Sequence, residues 1–402
     1  MNDASTSIEG KKKRRSAIIL LITMVLLGVF PLDVLLPSFP ALAAHFQSKP
    51  ADIAFSISLF AIAISLSQLL IGPLSDTFGR KSLLIGGMVV SIIGATGCVL
   101  SKEYTWFLIF RMIQATGCGC FVLSQALVQD MFEGKERDRL RILMITASGI
   151  FISLSPLLGS LLQQFLDWPG SFFLFITLAV GALLKAYFFL DGHPTTPHPN
   201  QNIVRAYQRV LSSGSFVGYW LIAAIAFACH FSFIVISPLI FMDQLKLSTH
   251  EFSLTLLLYG AAYVTGGIVA RILSNWLAPT TQIIFGLALI FCSGLLMLFL
   301  SRVFELSTVT VLVPMIICTT GTTICRPIAT SKAMDVFPDS AGTAASAGNT
   351  LIFMLGGLIS ALINISTINL QMTLALTFLL LSTTALVLSS LISRRQQLLD
   401  VG

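Results

Sequence analysis

From Ile53 to Ser75 the chain carries no charge, Asp76, Arg80 and Lys81 then crowd into a glycine-containing turn, and from Ser82 to Ser101 it is uncharged again. Neither run alternates apolar and polar residues with period two, so both read as helices rather than strands. Each is about 20 residues long, enough at 1.5 Å per residue to cross a hydrocarbon core about 30 Å thick. The turn between them therefore lies at a membrane face. The same rhythm continues along the chain and predicts spans at about 16–38, 53–75, 82–101, 104–126, 142–165 and 170–190. A second set follows at about 215–241, 251–272, 280–301, 306–330, 341–364 and 370–393. The last uncharged stretch, Ser340 to Ser393, is too long for one helix and is divided where polar residues gather, between Asn364 and Gln371.

Composition agrees with this pattern. The 402 residues are 55% hydrophobic and 10% charged, with a mean hydropathy of +0.89, whereas soluble domains carry about 25% charged residues. Water is absent from a bilayer core, which leaves helices or closed barrels as the spanning forms, and the long unbroken runs select helices.

Charge distribution then orients the bundle. Of 24 Lys and Arg residues, only Lys49, Lys102, Lys246 and Arg302 fall in the loops of one side. Arg111 and Lys185 lie inside spans, and the remaining eighteen lie on the side that carries both termini. Cytoplasmic loops are the basic ones, so both termini are expected in the cytoplasm. The net charge of +6 follows from this bias and is no sign of nucleic-acid binding; the expected surroundings are membrane lipid. The N-terminus imitates a secretory signal, with a basic cluster, an apolar run and Ala41-Leu42-Ala43. Cleavage there would leave an odd number of spans and spoil the charge alternation, so the segment is read as the first span.

The longest hydrophilic connection, Asp191 to Gly214, follows the sixth span and divides the chain. The expected organisation is a flexible basic tail (1–15), an N-terminal six-helix half (16–190), a cytoplasmic linker (191–214), a C-terminal six-helix half (215–393) and a cytoplasmic tail (394–402). His193 and His198 in the linker suggest a metal site only weakly, because Pro194, Pro197 and Pro199 favour an extended connection. The seven cysteines are odd in number and sit in apolar stretches. Cys118-Gly119-Cys120 lies in a small-residue segment that suits helix packing better than metal or redox chemistry. No metal is expected.

Several segments together resemble a known family. Gly72-Pro73-Leu74-Ser75-Asp76-Thr77-Phe78-Gly79-Arg80-Lys81 resembles the signature loop of the major facilitator superfamily. Asp33-Val34-Leu35-Leu36-Pro37-Ser38-Phe39-Pro40 resembles the Asp-x-x-x-Pro-x-x-Pro segment of the Bcr/CflA-type drug/proton antiporters within it. Arg111-Met112-Ile113-Gln114-Ala115-Thr116-Gly117 resembles the span-four motif of that group, and Ser155-Pro156-Leu157-Leu158-Gly159-Ser160 its span-five antiporter motif. Gly342-Thr343-Ala344-Ala345-Ser346 is similar to the start of its span eleven. The resemblance implies an all-α membrane protein with twelve transmembrane helices in two pseudo-symmetric halves, a monomer without cofactors, working by alternating access on the proton gradient. The chain departs from the family pattern at Gln125 and Gln129, where an Arg pair is frequent, at Ser155 and Ser160, where glycines are, and at Trp168-Pro169, where a Trp-Arg pair is.

Asp33 is the carboxylate placed well inside a predicted span, where a charge costs about 2.5–3.5 kcal/mol and marks an ion pathway by default. Span one runs outward and span four inward, so Asp33 and Arg111 are expected at similar depth, paired while Asp33 is ionised and parting on protonation. The alternative is a static pair that pins two helices. Asp76 and Arg80 belong to the loop, where Arg80 is expected to reach Asp130 at the foot of span four. Gly72 allows close helix approach and Gly79 a turn; the alternative is a solvated basic turn that only sets orientation. Pro156 and Gly159 are expected to bend span five and let it pack closely. Gln114, Lys185, His230 and Arg326 are candidate cavity residues. For Lys185 and Arg326 the competing reading is snorkelling to headgroups, and for His230 a packing role. Phe30, Phe60, Tyr259 and Phe353 are aromatic surface without individual assignment.

The expectation from these residues and the resemblance is a proton-coupled exporter of amphiphilic small molecules or drugs in the bacterial inner membrane. Inside the membrane Asp33 stands alone against Arg111, Lys185 and Arg326, so a carboxylate-bearing natural product such as a siderophore is an alternative substrate. A non-transporting sensor or scaffold is a second alternative, although a scaffold has no evident use for a costly interior charge. No Ser/His/Asp order, metal-ligand spacing or phosphate-binding loop appears, which argues against an enzyme and against ATP drive.

Overall fold

The computed structural model of the chain describes residues 2–190, 203–337, 341–366 and 369–401. Within them twelve helical segments are long and apolar enough to cross a membrane. The first span, Arg14–His45, is broken: α1 (Asn2–Asp33) ends, a tight turn covers Leu36–Ser38, and α2 (Phe39–His45) completes it. Pro37 and Pro40 each lack an amide proton and bias the residue before them away from helix, which stops α1 short of the membrane face. Then come α3 (Pro50–Phe78) and α4 (Arg80–Leu100), separated only by Gly79. Its φ of +83° lies in the left-handed region that favours glycine. The fourth span contains α5 (Tyr104–Cys118), a tightened turn and α6 (Leu123–Met131); α7 (Gly134–Leu166) and α8 (Pro169–Phe189) close the first half.

A short helix, α9 (Ile203–Leu211), precedes the second half. There α10 (Gly214–Pro238) continues through a widened π turn at Leu239–Gln244, followed by α11 (Thr249–Leu273), α12 (Pro279–Val303), α13 (Thr308–Met334), α14 (Ala341–Ile365) and α15 (Leu370–Val401). Helix starts carry local signals. Pro50, Pro169 and Pro279 occupy first-turn positions, and Ser248 with Glu251 forms a capping box at α11. Twelve spans bring both termini to one side, called here the termini face.

Two differences from the sequence reading concern the tail and the linker. The basic segment expected to be a flexible tail is helical from Asn2. Lys, Arg and Glu are good helix formers, and Arg14 forms an ion pair with Glu136 of α7. In the linker, residues 191–202, including His193 and His198, lie outside the described residues. Residues 203–211 are helical, with Arg205 and Arg209 exposed on one face and Val210 buried on the other.

Prolines inside the spans have a shared consequence. Each removes one amide donor and frees the carbonyl four residues earlier, which in lipid must find another partner. Pro156 frees Ile152, whose carbonyl accepts from Ser155 Oγ at 2.9 Å. Pro238 frees Ile234, which accepts from Ser237 Oγ at 2.9 Å. Pro314 frees Thr310, which accepts from Gln371 Nε2 at 3.0 Å. Pro73 frees Leu69, which accepts from Tyr207 Oη of α9 at 2.9 Å. The prolines are thereby tolerated without leaving those backbone acceptors bare.

Two helix pairs join the halves, α3 with α14 and α7 with α11. Along the first, Asn364 Nδ2 donates to the Ala51 carbonyl at 2.6 Å, Ser58 and Ser360 hydroxyls lie 2.8 Å apart, and Thr350 Oγ1 donates to the Ser65 carbonyl at 3.2 Å. Along the second, Ser153 Oγ donates to the Gly260 carbonyl and Ser253 Oγ to the Pro156 carbonyl, both at 3.1 Å. Small hydroxyls let backbones approach and supply weak interhelical bonds, each worth roughly 0.6 kcal/mol. Such a seam holds without locking. Helix α10 is buried without a break from Ile222 to Pro238 and forms the centre of the second half.

Candidate transport site

The break in the first span organises the site. The last carbonyls of a helix have no intrahelical partner, and at the end of α1 they are taken by side chains of the same half. Arg111 Nη2 donates to the Pro31 carbonyl at 3.0 Å, and Ser171 Oγ to the Val34 carbonyl at 3.4 Å. A guanidinium at a helix C-terminus also meets the negative end of the helix dipole. Gly159 of α7 completes the socket: a Cβ there would collide with the Val34 carbonyl oxygen and crowd the Pro37 ring. The antiporter-motif glycine thus permits α7 to approach the bare end of α1, while Pro156 lies one turn before it.

Arg111 is only 1% exposed. Its Nη1 donates to Gln114 Oε1 at 2.9 Å, and its guanidinium carbon lies 4.2 Å from the centroid of the Phe60 ring and 5.9 Å from that of Phe172. Gln114, one helical turn further along the fourth span, orients the guanidinium. With Phe30, Pro31, Leu35, Ser171 and Phe175 they line a small cavity inside the N-terminal half.

Asp33 looks elsewhere. Two residues past Pro31 on the same helix, it is rotated by about 200°, away from Arg111 and toward the second half. It lines a separate cavity with Ile152 and Pro156 of α7, His230 and Ile234 of α10, and Leu256, Tyr259 and Tyr263 of α11. His230 Nδ1 and Tyr259 Oη are hydrogen-bonded, with the two rings stacked at 5.5 Å between centroids. Among the described residues the ion pairs are Arg14–Glu136, Arg80–Asp130 and Lys246–Asp243. The expected Asp33–Arg111 pair is therefore not formed. Its cation is occupied by a carbonyl, and its anion faces the opposite half.

Arg80 Nη1 lies 2.8 Å from Asp130 Oδ2, tying the start of α4 to the end of α6. Gly72 lies so near Ser346 of α14 that a Cβ would overlap its hydroxyl, which brings the loop motif against the span-eleven segment. Asp76 lies on α3, and its side chain is outside the described residues. Near the termini face, then, the motif clamps its own half through Arg80 and meets the other half through Gly72.

Arg326 points into the bundle. Its guanidinium carbon lies 4.8 Å from the Phe227 ring centroid, and Phe227 belongs to the buried stretch of α10. Lys185 is half-buried on α8 and lines neither of the two cavities above. Sequence reasoning missed Tyr263 and Tyr207 and left Tyr259 unassigned. The spacing of Tyr259 and Tyr263, one helical turn apart beside Gly260, was the available signal.

Two packed six-helix halves, a seam of small residues and an interior carboxylate at that seam define a polytopic membrane transporter. The chain belongs to the Major Facilitator Superfamily, whose sequence profile matches residues 18–361. It is accordingly a multi-pass transporter of small molecules and not an enzyme. It is 25% identical over 326 residues to the multidrug resistance protein MdtL of Escherichia coli O17:K52:H18 (strain UMN026), covering 80% of this chain and 82% of that one. It is 26% identical over 356 residues to a chloramphenicol resistance protein of Pseudomonas aeruginosa, covering 86% and 81%. In fold it is similar to the crystal structure of a D-xylose–proton symporter, with a TM-score of 0.72, 16% identity and coverage of 92% and 96%.

Proposed function

We propose that the protein is a proton-coupled efflux antiporter of the bacterial inner membrane that exports amphiphilic small molecules or drugs by alternating access. The observation that carries this reading is Asp33, an interior carboxylate of the first half that faces the His230–Tyr259 pair of the second half across the seam. The drug-resistance names of the relatives point the same way. With the termini face cytoplasmic, as the Lys and Arg distribution suggests, Asp33 lies toward the outer end of the first span.

In this mechanism the ionised Asp33 favours contact with the donors of the opposite half, and its protonation from the outside weakens that contact and accompanies substrate release. Release of the proton to the cytoplasm resets the carrier. Arg111 acts indirectly: by holding the Pro31 carbonyl it fixes the helix end on which Asp33 stands. Arg80 and Asp130, with Gly72, Asp76 and Gly79, steady one state of the cycle from the cytoplasmic side. One charge moving through about 100 mV supplies about 2.3 kcal/mol, which supports a substrate ratio of more than tenfold. No cofactor takes part, and the working unit is a monomer with domains divided by the 191–214 linker.

A second reading, export of a carboxylate-bearing natural product such as a siderophore, is favoured by the inward-facing Arg326. A non-transporting scaffold leaves the seam carboxylate without a purpose. The test is accumulation of tetraphenylphosphonium in inverted vesicles under an imposed pH gradient. Asp33→Asn is expected to abolish uphill accumulation while leaving downhill exchange. Uphill transport by this variant with an unchanged pH profile would remove Asp33 from the coupling role.

A further inference from the structure

Arg326 is a half-buried cation to which no carboxylate among the described residues is ion-paired. The described carboxylates of the second half (Asp243, Glu251, Glu305 and Asp335) all fall at span ends or in loops. Arg326 stands eight residues before Met334, the end of α13, hence about 12 Å in from the termini face at 1.5 Å per residue. Its side chain turns toward α10 and away from lipid. The ring beneath it, Phe227, stacks on Phe231 at 5.2 Å and meets Phe353 of α14 edge-on at 5.3 Å. His230 lies one turn on from Phe227 along α10. Burying an uncompensated charge is costly, yet Arg326 keeps part of its surface open. A fork of donors above an aromatic shelf suits a planar carboxylate attached to an aromatic body.

We propose that Arg326, with Phe227 and Phe353, forms a subsite for the carboxylate of an anionic or zwitterionic aromatic amphiphile. This rests on the transporter reading and gives its substrate a chemical class. The aromatic body lies against the Phe227–Phe353 shelf, and the carboxylate takes two hydrogen bonds from the guanidinium. A solute so bound lies on the termini-face side of the Asp33 cavity, with His230 between the two. The subsite is thus positioned to be filled from the cytoplasm before the seam carboxylate exchanges its proton.

The test is binding of 1-pyrenebutyrate and of its methyl ester to the purified full chain in detergent, without any gradient, alongside tetraphenylphosphonium. The native protein is expected to bind the acid about tenfold more tightly than the ester, the worth of one charge-assisted contact. Arg326→Gln should erase that preference, and tetraphenylphosphonium, which loses only a repelling charge, should bind no more weakly than to the native protein. Arg326→Met, whose thioether still packs on Phe227, repeats the neutralisation should the Gln variant fold poorly. Phe227→Leu should weaken acid and ester alike and keep their ratio. A native protein that does not prefer the acid, or neutral variants that keep the preference, would overturn the subsite. Failure of proton coupling appears separately, in the vesicle experiment with Asp33→Asn, and leaves the acid-to-ester ratio untouched.

Discussion

Arg111 and Arg326 occupy the fourth span of their respective halves, and the protein has used them in opposite ways. Arg111 is sealed, donates to a backbone carbonyl and to Gln114, and lies over two aromatic rings. Arg326 also lies over an aromatic ring, but it keeps open surface and forms no ion pair among the described residues. The first cation is consumed by architecture, since it ends a helix that prolines have cut short. The second retains hydrogen-bonding capacity that a solute can use. Pseudo-symmetry places equivalent helices in the two halves, while the neighbouring backbone decides whether a cation on such a helix stabilises the fold or receives cargo.

The sharpest way to break this comparison is to neutralise each cation and measure thermal unfolding in detergent. Arg111→Gln shortens the side chain beyond reach of the Pro31 carbonyl and leaves a buried acceptor bare, so a loss of about 3 kcal/mol is expected. Arg326→Gln removes a cation with no buried partner and should change stability by less than about 1 kcal/mol. Equal losses at both sites would show that Arg326 too is structural. Arg111→Gln is expected to lower transport together with the folded fraction.

A smaller effect is expected at the Arg80–Asp130 pair. Its side chains are 19% and 37% exposed, and solvent screening limits such pairs to at most about 1 kcal/mol. Arg80→Gln should therefore leave melting nearly unchanged. Under the proposed role it slows turnover several-fold while tetraphenylphosphonium affinity stays within about twofold. A variant that loses affinity at unchanged turnover would instead place Arg80 in the binding path and blur the distinction between clamp and cargo site.

How far the chain could be read depended on whether a feature is local. Span limits were legible because charges and caps mark helix ends: the division between Asn364 and Gln371 falls between α14, ending at Ile365, and α15, beginning at Leu370. The Arg80–Asp130 contact was legible because both residues sit at helix ends on one face. The direction of Asp33 was not, since depth along the membrane is written in residue number but azimuth depends on how Pro31, Pro37 and Pro40 end the helix. The helical N-terminal segment was missed because a run of like charges looks solvated until Glu136 of another helix is placed beside Arg14. The freed carbonyls follow directly from each proline, and the adjacent Ser155 and Ser237 could be matched to theirs. Gln371 and Tyr207 could not, because those donors arrive from distant segments.

Tyr207 offers the finest test, because it connects the linker to the loop motif of the first half. Tyr207→Phe removes the hydroxyl donated to the Leu69 carbonyl at 2.9 Å and should cost about 1 kcal/mol at most, the worth of one half-buried hydrogen bond. Pro73→Ala restores an amide able to take up that carbonyl within α3. In the Pro73→Ala background the Tyr207→Phe substitution should cost almost nothing, so the two changes couple by most of the Tyr207 effect in a double-mutant cycle read by thermal unfolding. Strict additivity would mean that α9 is held by Val210 and its apolar neighbours alone. Coupling would mean that the proline of the loop motif supplies the acceptor by which the inter-half linker holds span two.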